Sequence, residues 1–394
     1  MVKTELLAPA GSFEKMKLAI GFGADSVYFG GKNFNLRARS QNFSIENIEK
    51  AMKYLHQRNK KGYLTLNIFP RNYDLKKIKT YLQKIKHINI DGIIISNLGV
   101  LELVKNILPS VPVHISTQAN VTDISTANYW NKLGAERIIL ARELTLEEIK
   151  EFTTHAKPEI EIFIHGAMCM AYSGRCLLSK YMTGRDANKG DCAHPCRWKY
   201  YVREDKRKNE LFEIKEDEEG LYIFNSKDLM LYDFIEKFMK MGIDAFKIEG
   251  RIKGILYLIT IVRSYRLLID AIANNKKPDK RWRELLFEAN NRGYHTGFVE
   301  GDDNFESNLH SSRTYSNYRL LGYLNDENIF KAKAPFELND KFNYLSPEGK
   351  EGTAKIISIT DLDKKDVHEA KPGQDYYVRF KPNLSKFTVL RYER

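Results

Sequence analysis

The stretch from Gly62 to Gln118, GYLTLNIFPRNYDLKKIKTYLQKIKHINIDGIIISNLGVLELVKNILPSVPVHISTQ, contains three short β-rich apolar runs: Gly62 to Ile68, Gly92 to Ser96 and Val111 to Thr117. Longer amphipathic segments separate them. Short runs rich in branched residues, each followed by helical periodicity, describe a strand-helix repeat. The alternation extends in both directions. Glu5 to Leu7 and Ser26 to Phe29 precede it; Arg137 to Ala141, Ile160 to His165 and Ala245 to Glu249 follow. Segments such as Ser44 to Asn59 and Leu146 to Thr154 have the polar starts and periodicity of the intervening helices. Eight such units predict an α/β fold of the (β/α)8 type, a TIM-like parallel barrel, with a doubly wound open sheet as the competing architecture.

In such a barrel, polar residues late in a strand point into the mouth. Thr65 and Asn67 share a face by period-2 alternation, as do His114, Ser116 and Gln118; Lys247, Glu249 and Arg251 alternate with Phe246 and Ile248. Lys247 and Glu249 are costly to bury unless they pair, for example with each other, or meet a ligand.

The spacing breaks after the seventh run. Residues 166–225 are far more than one crossover needs, and this insertion holds every cysteine of the chain: Cys169, Cys176, Cys192 and Cys196. It also carries the charged stretch Lys206 to Gly220, expected as an exposed excursion or hairpin. Four cysteines so close together describe one site rather than a disulfide framework that staples distant loops. Their spacing is C-x6-C-x15-C-x3-C. Thiolates suit zinc and iron-sulfur clusters alike. Only Cys192 and Cys196 have the tight spacing of a zinc knuckle, whereas the longer gap and Gly174 let a loop wrap a bulkier object.

The expected domains are a barrel over 1–275 with its insertion, a connector over 276–319, and a small antiparallel β-domain, barrel-like, over 320–394. The last is read from short alternating runs such as Thr353 to Ile359 and Tyr376 to Phe380. Lys and Arg outnumber Asp and Glu by 63 to 51, a formal charge of +12 that favours an anionic partner. No apolar run approaches the ~18 residues of a membrane span and no secretory signal opens the chain, so a cytoplasmic location with no membrane partner is the default expectation. Neither HExxH nor GxSxG is present.

The segment EIFIHGAMCMAYSGRCLLS, Glu161 to Ser179, resembles the collagenase-like peptidase family U32, and more narrowly its tRNA-hydroxylating branch. LLAPAGSFEKMKLAIGFGADSVYFGG near the start, LRARSQNF from Leu36, HISTQANVTD from His114, NSKDL from Asn225, KIEGRIK from Lys247 and RGYHTGF from Arg292 extend the resemblance over nearly the whole chain. It implies a 4Fe-4S cluster on Cys169, Cys176, Cys192 and Cys196. It also implies oxygen-independent hydroxylation of the wobble uridine of tRNA to 5-hydroxyuridine, with prephenate as hydroxyl donor. Related branches act on ribosomal RNA or carry a peptidase label, and an RNA-binding protein with a purely structural cluster is a further alternative.

His165, Lys247 and Glu249 are the candidate catalytic groups, with His165 the candidate for proton transfer. Asn67, Asn97, Gln118, Arg142, Arg175 and Arg251 are the candidate substrate contacts; Arg142, Lys247 and Arg251 could meet the carboxylates of an anionic metabolite. Arg175, Arg185, Lys189, Arg197 and Lys199 lie where phosphates could be met, and Tyr172, Tyr181 and Trp198 could stack on an unpaired base. Internal hydrogen bonding and packing are the ordinary alternatives for each.

Overall fold

The computed structural model describes residues 4–38, 40–169, 171–198, 216–217, 220–221, 226–301, 314 and 316–393. Seven parallel strands follow in order: β1 (Glu5–Pro9), β2 (Ser26–Gly30), β3 (Lys61–Leu66), β4 (Gly92–Ile95), β5 (Val113–Ile115), β6 (Arg137–Ile139) and β7 (Glu159–Ala167). Helices α1 (Phe13–Gly21), α2 (Ile45–His56), α3 (Asn72–Ile85), α4 (Leu98–Ile107), α5 (Ile124–Lys132) and α6 (Leu146–His155) separate them. The starts of α2 and α6 have a local cause. Ser44 caps α2 by accepting the Asn47 N–H, and Thr145 and Glu148 form a reciprocal capping box on α6. Ile48, Ala51, Met52 and Leu55 bury one stripe of α2, the spacing that docks a helix on a sheet.

After β7 come α7 (Leu178–Thr183), the two-residue strands β8 (Glu216–Asp217) and β9 (Gly220–Leu221), β10 (Asp228–Met230), α8 (Ile235–Met241), β11 (Ala245–Ile248), α9 (Ile255–Ala273), α10 (Lys280–Glu288) and β12 (Tyr294–His295). β11 pairs in parallel with both β1 and β7. That double pairing closes the eight-stranded parallel barrel and rules out the open doubly wound sheet. All eight expected strands are present. β8 and β9 pair antiparallel, and most of the charged stretch around them lies outside the described residues.

β10 runs antiparallel to the end of β7, placing Met230 opposite His165, and β12 runs parallel to β10. The hydrophobic pattern did not reveal these two short strands, which have too few residues for a periodicity.

The chain divides into two compact units, one of residues 1–16, 25–252 and 291–314, the other of 17–24, 253–290 and 315–394. The residues expected to close the barrel domain up to 275 are therefore shared out differently. α9 packs on α10 and on β13 (Tyr318–Leu324), and so groups with the second unit. In that unit β13, β14 (Phe330–Ala332), β16 (Lys341–Leu345), β17 (Glu351–Thr360), β19 (Asp375–Lys381) and β20 (Val389–Glu393) form a closed antiparallel barrel. β15 (Phe336–Glu337) and β18 (Glu369–Ala370) add a short ladder. Phe330 stands at its centre, 5.3 Å from the Phe336 ring and 5.6 Å from Phe380; burying such a side chain contributes about 1.5–3 kcal/mol. Among the described residues no helix is long and apolar enough to cross a membrane.

Candidate active site and cysteine centre

Two layers of buried charge cross the parallel barrel. In the first, Arg137 at the start of β6 reaches Glu5 at 2.9 Å, Glu159 at 2.7 Å and Glu161 at 3.2 Å, and the Lys247 ammonium stands 2.7 Å from Glu161. The hydroxyls of Tyr63 and Ser26 both donate to Glu5. Burial opposes ionisation of Glu5, but the Arg137 charge together with hydrogen bonds from Arg137, Ser26 and Tyr63 outweighs it and holds the carboxyl below its ordinary range. His114 lies against Tyr63, with ring centroids 4.7 Å apart. Burial and then the charges of Arg137 and Lys247 push it well below the ordinary imidazole range, so it is neutral at neutral pH.

The expected Lys247–Glu249 pairing is corrected here: Glu161 is the partner of Lys247. Glu161 lies diagonally across on β7, opposite Ala245, within reach of the long lysine side chain, while the Glu249 carboxylate is taken by Arg37. Lys247 is thus committed to the first layer and does not stand open at the mouth.

The second layer lies toward the C-terminal strand ends. Glu249, just past β11, donates its backbone N–H to the His165 carbonyl at 2.9 Å. Its carboxylate accepts from Arg37 Nη2 at 2.8 Å and Nε at 3.2 Å, and Tyr28 Oη lies 3.3 Å away. Burial opposes its ionisation, yet the charges of Arg37, Arg142 and Arg251 bring it down to about 2. Arg251 donates to Thr65 Oγ1 at 3.1 Å, Asn35 Oδ1 at 2.7 Å and Asn42 Oδ1. Arg142 donates to the Ala167 carbonyl at 2.7 Å and lies 4.0 Å over the Phe163 ring. Three guanidiniums therefore share the surroundings of one carboxylate, an arrangement suited to an added anion.

The cysteine insertion is seated on this mouth by its backbone. Phe69 N–H donates to the Asn188 carbonyl at 3.0 Å, and Ala38 N–H to that of Gly190 at 3.3 Å. Gly174 and Gly190 have positive φ. A Cβ on either would fall 2.5 Å from the Gln118 carbonyl or 2.3 Å from that of Asn35, backbone atoms that cannot swing aside. Asn188 Nδ2 donates to the Cys176 carbonyl at 3.1 Å, and Arg185 Nη2 to that of Cys192 at 3.0 Å. The His194 N–H, 3.3 Å from Cys192 Sγ, donates to the sulfur.

Burial pushes Cys196 up to about 11, Arg197 opposes, and Cys169, Cys192 and Cys176 add to the rise; Cys169 also acts on Arg37. Among the described residues no three His, Cys, Asp or Glu side chains converge on a point that would hold a single metal ion. The donor set of four cysteines and an N–H directed at sulfur fit an iron-sulfur cluster.

Beside the cysteine loop opens a cavity of about 430 Å³ lined by Asn120, Thr122, Glu143, Glu148, Tyr172 and Arg175. Tyr172 is half exposed at its edge. Burial raises the Glu143 carboxyl, partly offset by Arg142, and its Oε2 is enclosed without a hydrogen-bond partner.

The chain matches the family model described as Peptidase family U32 over residues 11–309. It belongs to peptidase family U32. Curated relatives align over most of their length. They include tRNA hydroxylation protein P1 of Bacillus subtilis (37% identical; 94% of this chain, 90% of the relative) and tRNA hydroxylation protein P of Helicobacter pylori J99 (40% identical; 99% and 93%). A third, named Collagenase, comes from Porphyromonas gingivalis (35% identical; 75% and 73%). U32 membership thus spans RNA-modifying and peptidase names.

Within this U32 chain the candidates separate clearly. His165, Glu249, Arg142 and Arg251 lie at the C-terminal end of the barrel. His165 packs on Tyr294, ring centroids 5.2 Å apart. Asn67 donates to Ser116 Oγ at 3.0 Å, and its buried Oδ1 has no protein partner. Gln118 does not continue the β5 face: the strand stops at Ile115, and Ser116 caps a 3-10 turn that carries Gln118 under Gly174. Asn97 is the N-cap of α4, accepting from Gly99 and Val100 N–H, so its side chain is occupied by the helix. Arg175 lines the cavity rather than the mouth. Arg185 is bound to Asp191, and Lys189 to Asp74. Tyr181 and Trp198 are exposed, and Lys199 lies outside the described residues. Arg37, Tyr28, Glu161 and Glu143 were not singled out. Arg37 sits inside LRARSQNF, and its alternation with Leu36 on a loop carries no periodic signal.

Proposed function

We propose that the chain hydroxylates the wobble uridine of tRNA to 5-hydroxyuridine, using a 4Fe-4S cluster on Cys169, Cys176, Cys192 and Cys196 and an anionic co-substrate such as prephenate. The observation that carries this reading is the seating of the cysteine insertion on the mouth: Ala38, next to the Arg37 that binds Glu249, donates its N–H to the Gly190 carbonyl at 3.3 Å, which brings the cysteine loop to the arginine-lined mouth. The names of the Bacillus and Helicobacter relatives support RNA as the substrate. The cluster, when bound, supplies electron transfer or Lewis acidity at the mouth.

The chain's own residues supply the rest. Arg142 and Arg251, with Arg37, meet the co-substrate carboxylates and orient it over Glu249. Asn67 Oδ1 offers an acceptor at the rim. Tyr172 stacks the extruded base, Arg175 meets its phosphate, and the Glu143 carboxyl, raised by burial, hydrogen-bonds to it. His165 is placed for proton transfer at the floor of the insertion. Turning C5–H into C5–OH is a two-electron oxidation; a co-substrate whose C–OH leaves as C–H balances oxygen and electrons without dioxygen.

Nucleoside mass spectrometry of tRNA from a deletion strain tests the assignment. Loss of 5-hydroxyuridine and its derivatives, restored by the intact gene and not by a Cys176→Ala copy, is expected. Their persistence in a strain with no second copy rejects it. The relative named Collagenase keeps a peptidase reading in view; proteolysis by the pure protein that survives removal of all four cysteines would favour it.

A further inference from the structure

On the C-terminal antiparallel barrel, β16, β17 and β19 are neighbours, and their register puts Lys341 opposite Lys355 and Lys355 opposite Lys381. Three ammonium groups stand in one row across three strands, spaced about 4.8 Å from strand to strand. Like charges directly opposite one another destabilise a sheet. Among the described residues none of the three has an ion-pair partner; Asp340, next to Lys341 in the chain, accepts the Glu337 N–H at 2.8 Å.

The row continues along β19. Tyr376, Val378 and Phe380 point into the barrel core, while Tyr377, Arg379 and Lys381 alternate outward. Arg379 Nε donates to Ser358 Oγ at 2.9 Å, steadying its guanidinium on the sheet. Tyr377 and Ile357 are both 41% exposed on these strands. A row of cations bordered by an exposed aromatic ring is what a phosphate backbone with bases to stack requires.

We propose that this face of the C-terminal barrel, centred on Lys341, Lys355 and Lys381 with Arg379 and Tyr377, binds the phosphate backbone of the RNA substrate. The inference rests on the RNA reading above and extends it to a second surface. The repulsion within the row is a cost to the free protein that a polyanion removes, so affinity is gained at the expense of stability. A phosphodiester chain fits better than an acidic protein segment because Tyr377 adds a stacking surface to the charges.

The test uses the full-length chain, transcribed tRNA, and binding measured over a salt series. Lys341→Gln, Lys355→Gln and Lys381→Gln together should lower the slope of log K against log salt by about 2–3 and weaken binding about tenfold or more. A control triple at the exposed Lys276, Lys277 and Lys280 should stay within about twofold of the intact chain. Lys355→Glu alone should weaken RNA binding yet raise the melting midpoint by about 1–3 °C, since it replaces two repulsions by attractions. A midpoint that falls contradicts the like-charge premise.

An unchanged salt slope in the row variant, or an equal loss in the control, overturns the surface while leaving the tRNA assignment standing. Row-dependent binding of a ribosomal RNA fragment with no binding of tRNA keeps the surface and removes the tRNA assignment. No RNA binding by the intact chain, or row-dependent capture of poly-glutamate in its place, overturns it.

Discussion

The two charge layers of the parallel barrel are built from the same residue types, and the difference between them separates scaffold from site. In the first, Arg137 and Lys247 meet Glu5 and Glu161 within 3.2 Å, and every cation has its acid. In the second, Arg37, Arg142 and Arg251 surround Glu249, with the Glu143 carboxyl, raised by burial, near Arg142. The first layer is closed; the second has positive charge to spare. Buried ionic groups that compensate one another hold a fold's register, while an uncompensated set invites a ligand of opposite sign.

The contrast can be broken most forcefully at Glu161. Glu161→Ala leaves Lys247 buried without its acid and should cost about 3–5 kcal/mol in denaturant unfolding, with co-substrate KM nearly unchanged in the protein that remains folded. A large KM effect at unchanged stability would reverse the roles assigned to the layers.

Glu249 comes next. Its folded pKa of about 2 lies below the ordinary 4.5, so it contributes stability at pH values above 4.5 that is lost as pH falls toward 2. The contribution is about 3 kcal/mol. Glu249→Gln should therefore be less stable than the parent by about that amount at pH 7, with the two converging between pH 4.5 and 2. Parallel stability curves over that window would show that the three arginines do not act on it.

Arg142→Lys keeps the charge and removes the fork. It should raise co-substrate KM about tenfold with a stability change under about 1 kcal/mol. The smallest effect belongs to Asn97→Ala, which should cost about 1 kcal/mol through loss of the α4 cap and leave kcat and KM unaltered. A KM effect there would restore Asn97 to the substrate contacts.

Much of the fold was legible because parallel barrel strands are buried on both faces and read as continuous apolar runs; Ile93–Ile95 is the plainest example. β10 and β12 were not, being too short for any period and formed only because the end of β7 offers an open edge. The cysteines and the late-strand cations announced themselves by residue type. Their partners did not, since Lys247 meeting Glu161 depends on the register of β11 on β7, and Arg37 reaches Glu249 from a loop after β2. Asn97 and Gln118 misled for a related reason: a strand that stops a residue or two early hands its polar residues to a helix cap or a turn.

The claim on which the rest depends is that the four cysteines hold one iron-sulfur cluster over the arginine-lined mouth. Iron and acid-labile sulfide should be counted in anaerobically purified protein, intact and with Cys192→Ala. About four iron and four sulfide per intact chain, falling away in the variant, is the expected result; one zinc per chain without sulfide would contradict it.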